Sequence, residues 1–76
     1  MNYYEMILLG IKDNLKIERA KRNELAQAVA SYGNNQCTYA KGIRRVLGIR
    51  ESIIKLWEEA AAEYSEAVKT ASNSTK

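Results

Sequence analysis

The residues of this chain that could perform chemistry are few and do not form a catalytic set. The sequence contains no histidine and one cysteine, Cys37. General acid-base catalysis would therefore depend on carboxylates, lysine or tyrosine, and a cysteine nucleophile would lack an evident base. The phosphate-binding motifs GxGxxG and GxxxxGK[ST] are also absent from the sequence. We predict that the chain is not an enzyme and that Cys37 is a half-buried structural thiol.

The densest group of possible metal ligands is a set of glutamates in the C-terminal part of the chain. Glu59, Glu63 and Glu66 would share one face of a helix, a spacing that could weakly hold a divalent cation. Three acids on an exposed helical face are more typical of a solvated surface, and a lone thiol does not make a zinc site. We therefore expect no metal and no cofactor.

Basic residues are concentrated in the middle of the chain. The net charge is +3, but the segment from Lys12 to Lys55 holds ten basic and four acidic residues, and the remainder holds two basic and five acidic ones. Such a segment could bind nucleic acid or an acidic protein. The candidate contacts lie in 12–22 and 41–55: Lys12, Lys16, Arg19, Lys41, Arg44, Arg45 and Lys55. Alternatively, these residues only solvate the helices or pair with the acidic part of a neighbouring copy.

A helix-turn-helix centred on Gly48 is a sharper form of the nucleic-acid hypothesis. Hydrophobic residues around this glycine have workable spacing, and Arg50 to Lys55 would begin a recognition helix. The bulky Arg44 does not suit the close packing of such a motif, and the helical pattern passes through Gly48 without a change of phase. One glycine inside a helix costs only about 1 kcal/mol, so the pattern favours a continuous helix over the motif.

Two long helices are the elements that would position these residues. Proline is absent, and Asn2 followed by Glu5 has the spacing of a capping box, which predicts a helix start near Tyr3. Gly33 readily adopts a left-handed conformation, so we expect this helix to end near Tyr32.

The second helix is predicted to follow a short turn over residues 33–35. It would run from about Gln36 to about Ala71, and the polar residues 72–76 would form a disordered tail. The fold class is therefore all-α, an antiparallel two-helix hairpin forming one domain over residues 1–71.

Each predicted helix has an apolar row with alternating spacings of four and three residues. The first row is Tyr4, Leu8, Ile11, Leu15, Glu18, Arg22, Leu25, Val29 and Tyr32, and the second is Gln36, Ala40, Ile43, Leu47, Arg50, Ile54, Trp57, Ala61, Tyr64, Val68 and Ala71. A reversal at Asn34 would place Glu18 opposite Arg50 and Ile11 opposite Trp57. The Glu18–Arg50 pair would add little stability but would fix the register.

Additional apolar residues cannot face the other helix and need a separate cover. They are Val46, Ile49, Ile53, Leu56 and Ala60 in the second helix and Met6, Leu9, Ile17 and Ala20 in the first. A chain this small, with neither a disulfide nor a metal site, commonly gains stability by oligomerisation. We predict a homo-oligomeric bundle of four or more helices joined through these residues. The alternative is a bent or broken second helix that folds back over its own additional apolar residues, Val46 to Ala60.

The predicted function is that of a small non-enzymatic interaction or regulatory protein. It would bind or inhibit another macromolecule, an unidentified protein, through its outer helical faces, and the alternative is nucleic-acid binding through the basic segments. The outline is similar to that of small helical-hairpin dimers that regulate plasmids or phages, an analogy of shape alone. The apolar run Met6 to Leu9 is too short for a membrane span or a signal peptide, and a lone cysteine suits the reducing cytoplasm, where we expect the protein to reside.

Overall fold

Two helices packed as an antiparallel hairpin form the structure, a computed structural model that describes residues 2–74. Helix α1 is Tyr3–Tyr32 and helix α2 is Thr38–Ser74. The hairpin is a narrow rod measuring 60 × 15 × 13 Å. The predicted all-α hairpin is thereby confirmed, and α1 has the predicted bounds.

Both ends of α1 are closed by the residues that the sequence indicates. Asn2 is the N-cap, and its Oδ1 accepts a hydrogen bond of 2.8 Å from the Glu5 backbone N–H. At the other end, Gly33 has φ 55° and ψ −124°, and its N–H donates to the Ala30 carbonyl at 3.2 Å. A positive φ of this kind is readily adopted only by glycine, so Gly33 defines where α1 stops.

Helix α2 begins at Thr38, two residues later than predicted. The Oδ1 of Asn35 accepts the Cys37 backbone N–H at 2.8 Å, a local turn that keeps this stretch out of the helix. Cys37 then serves as the N-cap, with its Sγ accepting from the Ala40 N–H at 3.4 Å and its carbonyl accepting from the Lys41 N–H at 3.0 Å. The thiol is exposed, so the expectation of a half-buried cysteine is wrong.

Helix α2 runs without interruption through Gly48 as far as Ser74. The helix-turn-helix centred on Gly48 is therefore wrong, as is the alternative of a second helix that breaks and folds back over its additional apolar residues. Strong helix-forming neighbours and packing against α1 outweigh the modest cost of one helical glycine. The helix also continues over residues 72–74 of the predicted tail, whereas residues 75 and 76, like residue 1, lie outside the described residues.

The core is a single row of contacts between the two helices. Ile11, Leu15 and Ile54 form its centre, and Trp57 and Tyr64 are among the partly buried residues packed against it. Aromatic pairs lie near the two ends of α1, with ring centroids 6.3 Å apart for Tyr4–Tyr64 and 5.4 Å apart for Tyr32–Tyr39. The apolar rows thus meet along most of the rod in the register expected from the sequence.

Candidate interaction surfaces

The hairpin has two opposite sides, one to each side of the plane that contains both helices. Val46 of α2 lines an open groove together with Lys21 of α1, so these residues share one side. Arg19 and Glu58 form an ion pair of 2.9 Å across the helices and share a side as well. Arg19 and Lys21 are about 200° apart around α1, on opposite flanks of its buried row. These two pairs therefore mark opposite sides.

The side marked by Val46 and Lys21, termed the apolar side, carries the additional apolar residues of α2. The side chains of Val46, Ile49 and Leu56 are 44%, 55% and 64% exposed, whereas Ile53 and Ala60 are partly buried. All five follow one flank of α2. Their exposed members leave a row of large hydrophobic side chains that α1 does not cover.

The apolar residues of α1 lie farther round that helix. Met6, Leu9, Ile17 and Ala20 are all exposed. The helical period places Leu9 and Ala20 almost opposite the buried residues of α1, and Met6 and Ile17 between that outer face and the apolar side. Only part of this set is therefore continuous with the row on α2.

Near the turn, the apolar side contains an open groove of about 320 Å³. It is lined by Lys21, Glu24, Leu25, Ala28, Tyr39, Ile43, Val46 and Arg50. Leu25 and Ile43, opposite each other in the predicted register, both border it. The groove is a gap between the helices rather than an enclosed ligand cavity.

The opposite side, termed the basic side, carries six of the seven predicted basic contacts. The six are Lys12, Lys16, Arg19, Lys41, Arg44 and Lys55, placed there by the helical period relative to the Arg19–Glu58 pair. The seventh, Arg45, lies on the back of α2, at the outer edge of the apolar side. Arg45 and the four lysines of this set are exposed.

Two of these basic residues already have partners within the hairpin. Arg44 Nη2 donates to the carbonyl oxygens of Gly33 at 2.7 Å and Asn35 at 2.6 Å, which ties the start of α2 to the turn. Arg19 is paired with Glu58, although both side chains remain about half exposed. Arg44 is therefore a structural residue of the turn, a role that sequence reasoning missed because it depends on the turn conformation.

Glu18 and Arg50 meet in the middle of the seam, as the register requires. Arg50 Nη1 donates to Glu18 Oε2, and the Arg50 and Glu18 side chains are 25% and 17% exposed. Within the described residues the buried Arg50 Nε has no hydrogen-bond partner. Arg22, also half-buried in the seam, donates from Nε to the Asn23 Oδ1 at 2.9 Å. The hydrogen-bonding groups of the Glu18–Arg50 pair are thus only partly satisfied. This is typical of a contact that specifies the alignment of two helices more than it stabilises them.

The glutamates of the C-terminal part project into solvent. Glu58 pairs with Arg19, and Glu66 lies 3.8 Å from Lys69 one turn away. Across residues 2–74, no three or more acidic or cysteine side chains converge as they would around a metal ion.

Neither helix, over its described length, is sufficiently apolar to cross a membrane.

Comparison of the chain with protein-family models, with curated proteins and with solved structures finds no significant match.

Proposed function

We propose that this chain is a non-enzymatic interaction protein, of a regulatory kind and cytoplasmic, that binds another macromolecule through its apolar side. The observation that supports the proposal is the row of large hydrophobic residues, Val46, Ile49 and Leu56, about half or more exposed on one flank of α2. Contiguous exposed apolar surface of this kind is typical of a protein-binding site.

The geometry of the row suits recognition of another helix. Val46 to Ala60 spans about 21 Å along the helix axis. Its members are spaced alternately by three and four residues, the pattern with which a helix presents anchor side chains to a helical partner. The unbroken α2 holds these side chains on one rigid element, so little conformational entropy is lost on binding.

Photo-crosslinking in cells that express the protein would test this proposal. A photoreactive amino acid in place of Ile49 should give a defined adduct, because this position lies within the proposed contact. The same amino acid in place of Lys55, on the basic side, is the matched control. Equal adduct yields from the two positions would contradict the proposal.

Nucleic-acid binding through the basic side is the second candidate function. It is favoured by the exposed lysines on the side opposite the apolar row, Lys12, Lys16, Lys41 and Lys55. Lys12 and Lys16 on α1 lie at nearly the same height along the rod as Lys55 on α2. Lysines grouped in this way could neutralise neighbouring phosphates.

This candidate predicts binding to duplex DNA or structured RNA that weakens as salt rises. The double change Lys16→Glu with Lys55→Glu should lower the salt dependence by about two phosphate contacts, roughly 0.9 in log–log slope for each. Lys21→Glu, a basic residue on the apolar side, is the control and should leave that slope unchanged. An affinity that does not vary between low and physiological salt would exclude the candidate.

A further inference from the structure

We infer that the macromolecule bound on the apolar side is a second copy of this chain, packed antiparallel along α2 as a symmetric dimer. The inference rests on the proposed function in one respect, namely that the apolar side is a binding surface. It adds which molecule is bound, in which direction its α2 runs and which residues of the two α2 helices lie opposite each other.

The surface of a single hairpin exceeds that of a compact protein by the amount that a dimer interface buries. A folded monomer of 8.6 kDa exposes about 4,700 Å², whereas this chain exposes 5683 Å². The excess of about 1,000 Å² is close to the roughly 800 Å² that each partner buries in an interface of ordinary size. The radius of gyration, 17.3 Å, is well above the roughly 11 Å expected of a compact chain of this length, because the hairpin is a narrow rod. A copy laid along that rod would bury the excess surface.

The sizes of the apolar residues on α2 match an antiparallel copy of themselves. With the preceding glycine, the row reads Gly42, Val46, Ile49, Ile53, Leu56 and Ala60. This is a coiled-coil spacing with small residues at both ends and large ones in the middle. An antiparallel pairing places Gly42 against the partner's Ala60, Val46 against the partner's Leu56, and Ile49 against the partner's Ile53. Each layer then occurs twice, as the two-fold axis of a symmetric dimer requires.

A parallel pairing fits the same residues less well. Equal residues would lie at the same height, with Gly42 beside Gly42 at one end and Leu56 beside Leu56 near the other. The volumes of the layers would then differ more, because no layer would combine a smaller residue with a larger one. The antiparallel arrangement distributes side-chain volume more evenly, which close packing requires.

Charge at the edge of the row favours the antiparallel direction as well. Arg45 and Glu59 are exposed on the back of α2, beside the apolar row, and within the described chain neither has an ion-pair partner. They are too far apart along one helix, about 21 Å, to contact each other. In the antiparallel dimer Arg45 lies beside the partner's Glu59, and Glu59 beside the partner's Arg45. In a parallel dimer Arg45 would lie at the same height as the partner's Arg45, and Glu59 at the same height as the partner's Glu59.

Charge reversal across this pair tests the inference directly. The dissociation constant of the wild-type dimer would be measured by sedimentation equilibrium and compared with those of Arg45→Glu, Glu59→Arg and the double variant. Because each contact occurs twice in the dimer, either single reversal should weaken association by about tenfold. The double reversal, which recreates two opposite pairs, should restore it to within about threefold of the wild type. Helix content, followed by circular dichroism, would show that the variants remain folded.

A second pair of variants addresses the apolar contacts. Leu56→Glu should convert the dimer to a monomer, whereas Lys55→Glu, one residue away on the basic side, should leave the dimer intact. If Leu56→Glu also unfolds the chain, the charge reversals still decide, because Arg45 and Glu59 lie outside the hairpin core.

Several outcomes would overturn the inference. A wild-type monomer at tens of micromolar would do so, as would a double reversal that associates as weakly as the single ones. A monomer whose Ile49 position cross-links to a different protein would remove the inference and leave the proposed function in place. An unchanged mass together with an unchanged Ile49 adduct in Leu56→Glu would remove both.

Discussion

At the scale of single residues, Cys37 closes the start of α2 with an atom poorly suited to the task. Its Sγ accepts from the Ala40 N–H at 3.4 Å, and sulfur is a weak acceptor compared with a hydroxyl oxygen. Serine is among the preferred N-cap residues. A thiol at this position leaves the start of α2 weaker than it needs to be.

The variant Cys37→Ser is therefore expected to raise the free energy of unfolding by about 0.5 to 1 kcal/mol. Urea denaturation followed by circular dichroism would measure the change. Cys37→Ala, which removes the acceptor altogether, is the control and should lower stability. Serine and alanine variants of equal stability would show that the cap contributes nothing.

The Glu18–Arg50 pair supports a second prediction. Replacing Glu18 with leucine leaves the half-buried Arg50 without its carboxylate and should cost about 1 to 2 kcal/mol of stability. The double variant with Arg50→Leu removes both charges from the seam and should recover the wild-type stability or exceed it. Urea denaturation of the wild type, both single variants and the double variant would complete the cycle. A double variant less stable than the wild type would contradict this expectation and would show that the charged pair stabilises the hairpin more than two leucines do.

Residue contacts could be predicted from the sequence where spacing along a helix determines them. The Asn2 cap, the stop at Gly33 and the meeting of Glu18 with Arg50 all follow from helical geometry and one reversal point. The roles of Cys37 and Arg44 could not be predicted, because both depend on the exact path of the turn over residues 33–37. One extra residue in a turn changes which side chains reach its carbonyl groups, and no periodic pattern records that path.

At the scale of elements, the continuity of α2 through Gly48 determines how its surfaces are displayed. A Cβ added at Gly48 would meet nothing within 4 Å, and the residue has an ordinary helical conformation. Gly48→Ala should therefore raise the free energy of unfolding by about 0.5 to 1 kcal/mol through helix propensity alone.

Gly33→Ala is the matched control for that change. Its Cβ would also meet nothing within 4 Å, but the φ of 55° is strained for alanine. This substitution should destabilise the hairpin, with thermal melting of the two variants shifting in opposite directions. A lower melting temperature for Gly48→Ala would indicate that α2 needs a bend at this position, contrary to the structure.

The helices and their packing could be predicted because the hydrophobic periodicity, the N-cap at Asn2 and the helix stop at Gly33 all indicate the same two elements. The competing helix-turn-helix hypothesis depended on a local pattern, namely hydrophobic residues spaced around a single glycine that could form the turn. It was wrong because the apolar residues of α2 that face α1 keep their helical spacing across Gly48. Their packing against α1 stabilises one continuous helix. The late start of α2 was missed for a different reason: Asn35 uses its side chain to form a turn rather than to cap the helix.

At the scale of the whole molecule, the core is thin for an independent fold. Among the residues whose burial the structure describes, the buried hydrophobic ones are Ile11, Leu15, Ala40, Ile43 and Ile54. A two-helix rod with so few buried residues has little stability of its own. Association along the apolar side would add to that stability by mass action.

The melting temperature of the wild type is therefore expected to rise with protein concentration. Circular dichroism melts over a hundredfold range of concentration would measure this dependence, which follows from coupling between association and folding. Leu56→Glu should have a lower melting temperature that does not vary with concentration. A concentration-independent melting temperature in the wild type would indicate that the hairpin is stable as a monomer.

The division of the surface into an apolar side and a basic side is a property of the whole hairpin. Sequence patterns identified the apolar row and the basic residues separately, but their placement on opposite sides requires the relative rotation of both helices. That rotation is a property of the packed hairpin. It also separated Arg45 from the other basic residues, a distinction that linear spacing does not show.

The opposition of the two sides determines the valence of the assembly. Two hairpins joined along their apolar sides would have their basic sides on opposite outer faces, directed away from each other. A dimer of this kind could not enclose one polyanion between its basic surfaces. Under the proposed nucleic-acid function, it would hold two separate segments at once, and a second segment of the same molecule would bind with the advantage of high effective concentration. The arrangement is that of a cross-linker rather than of a clamp.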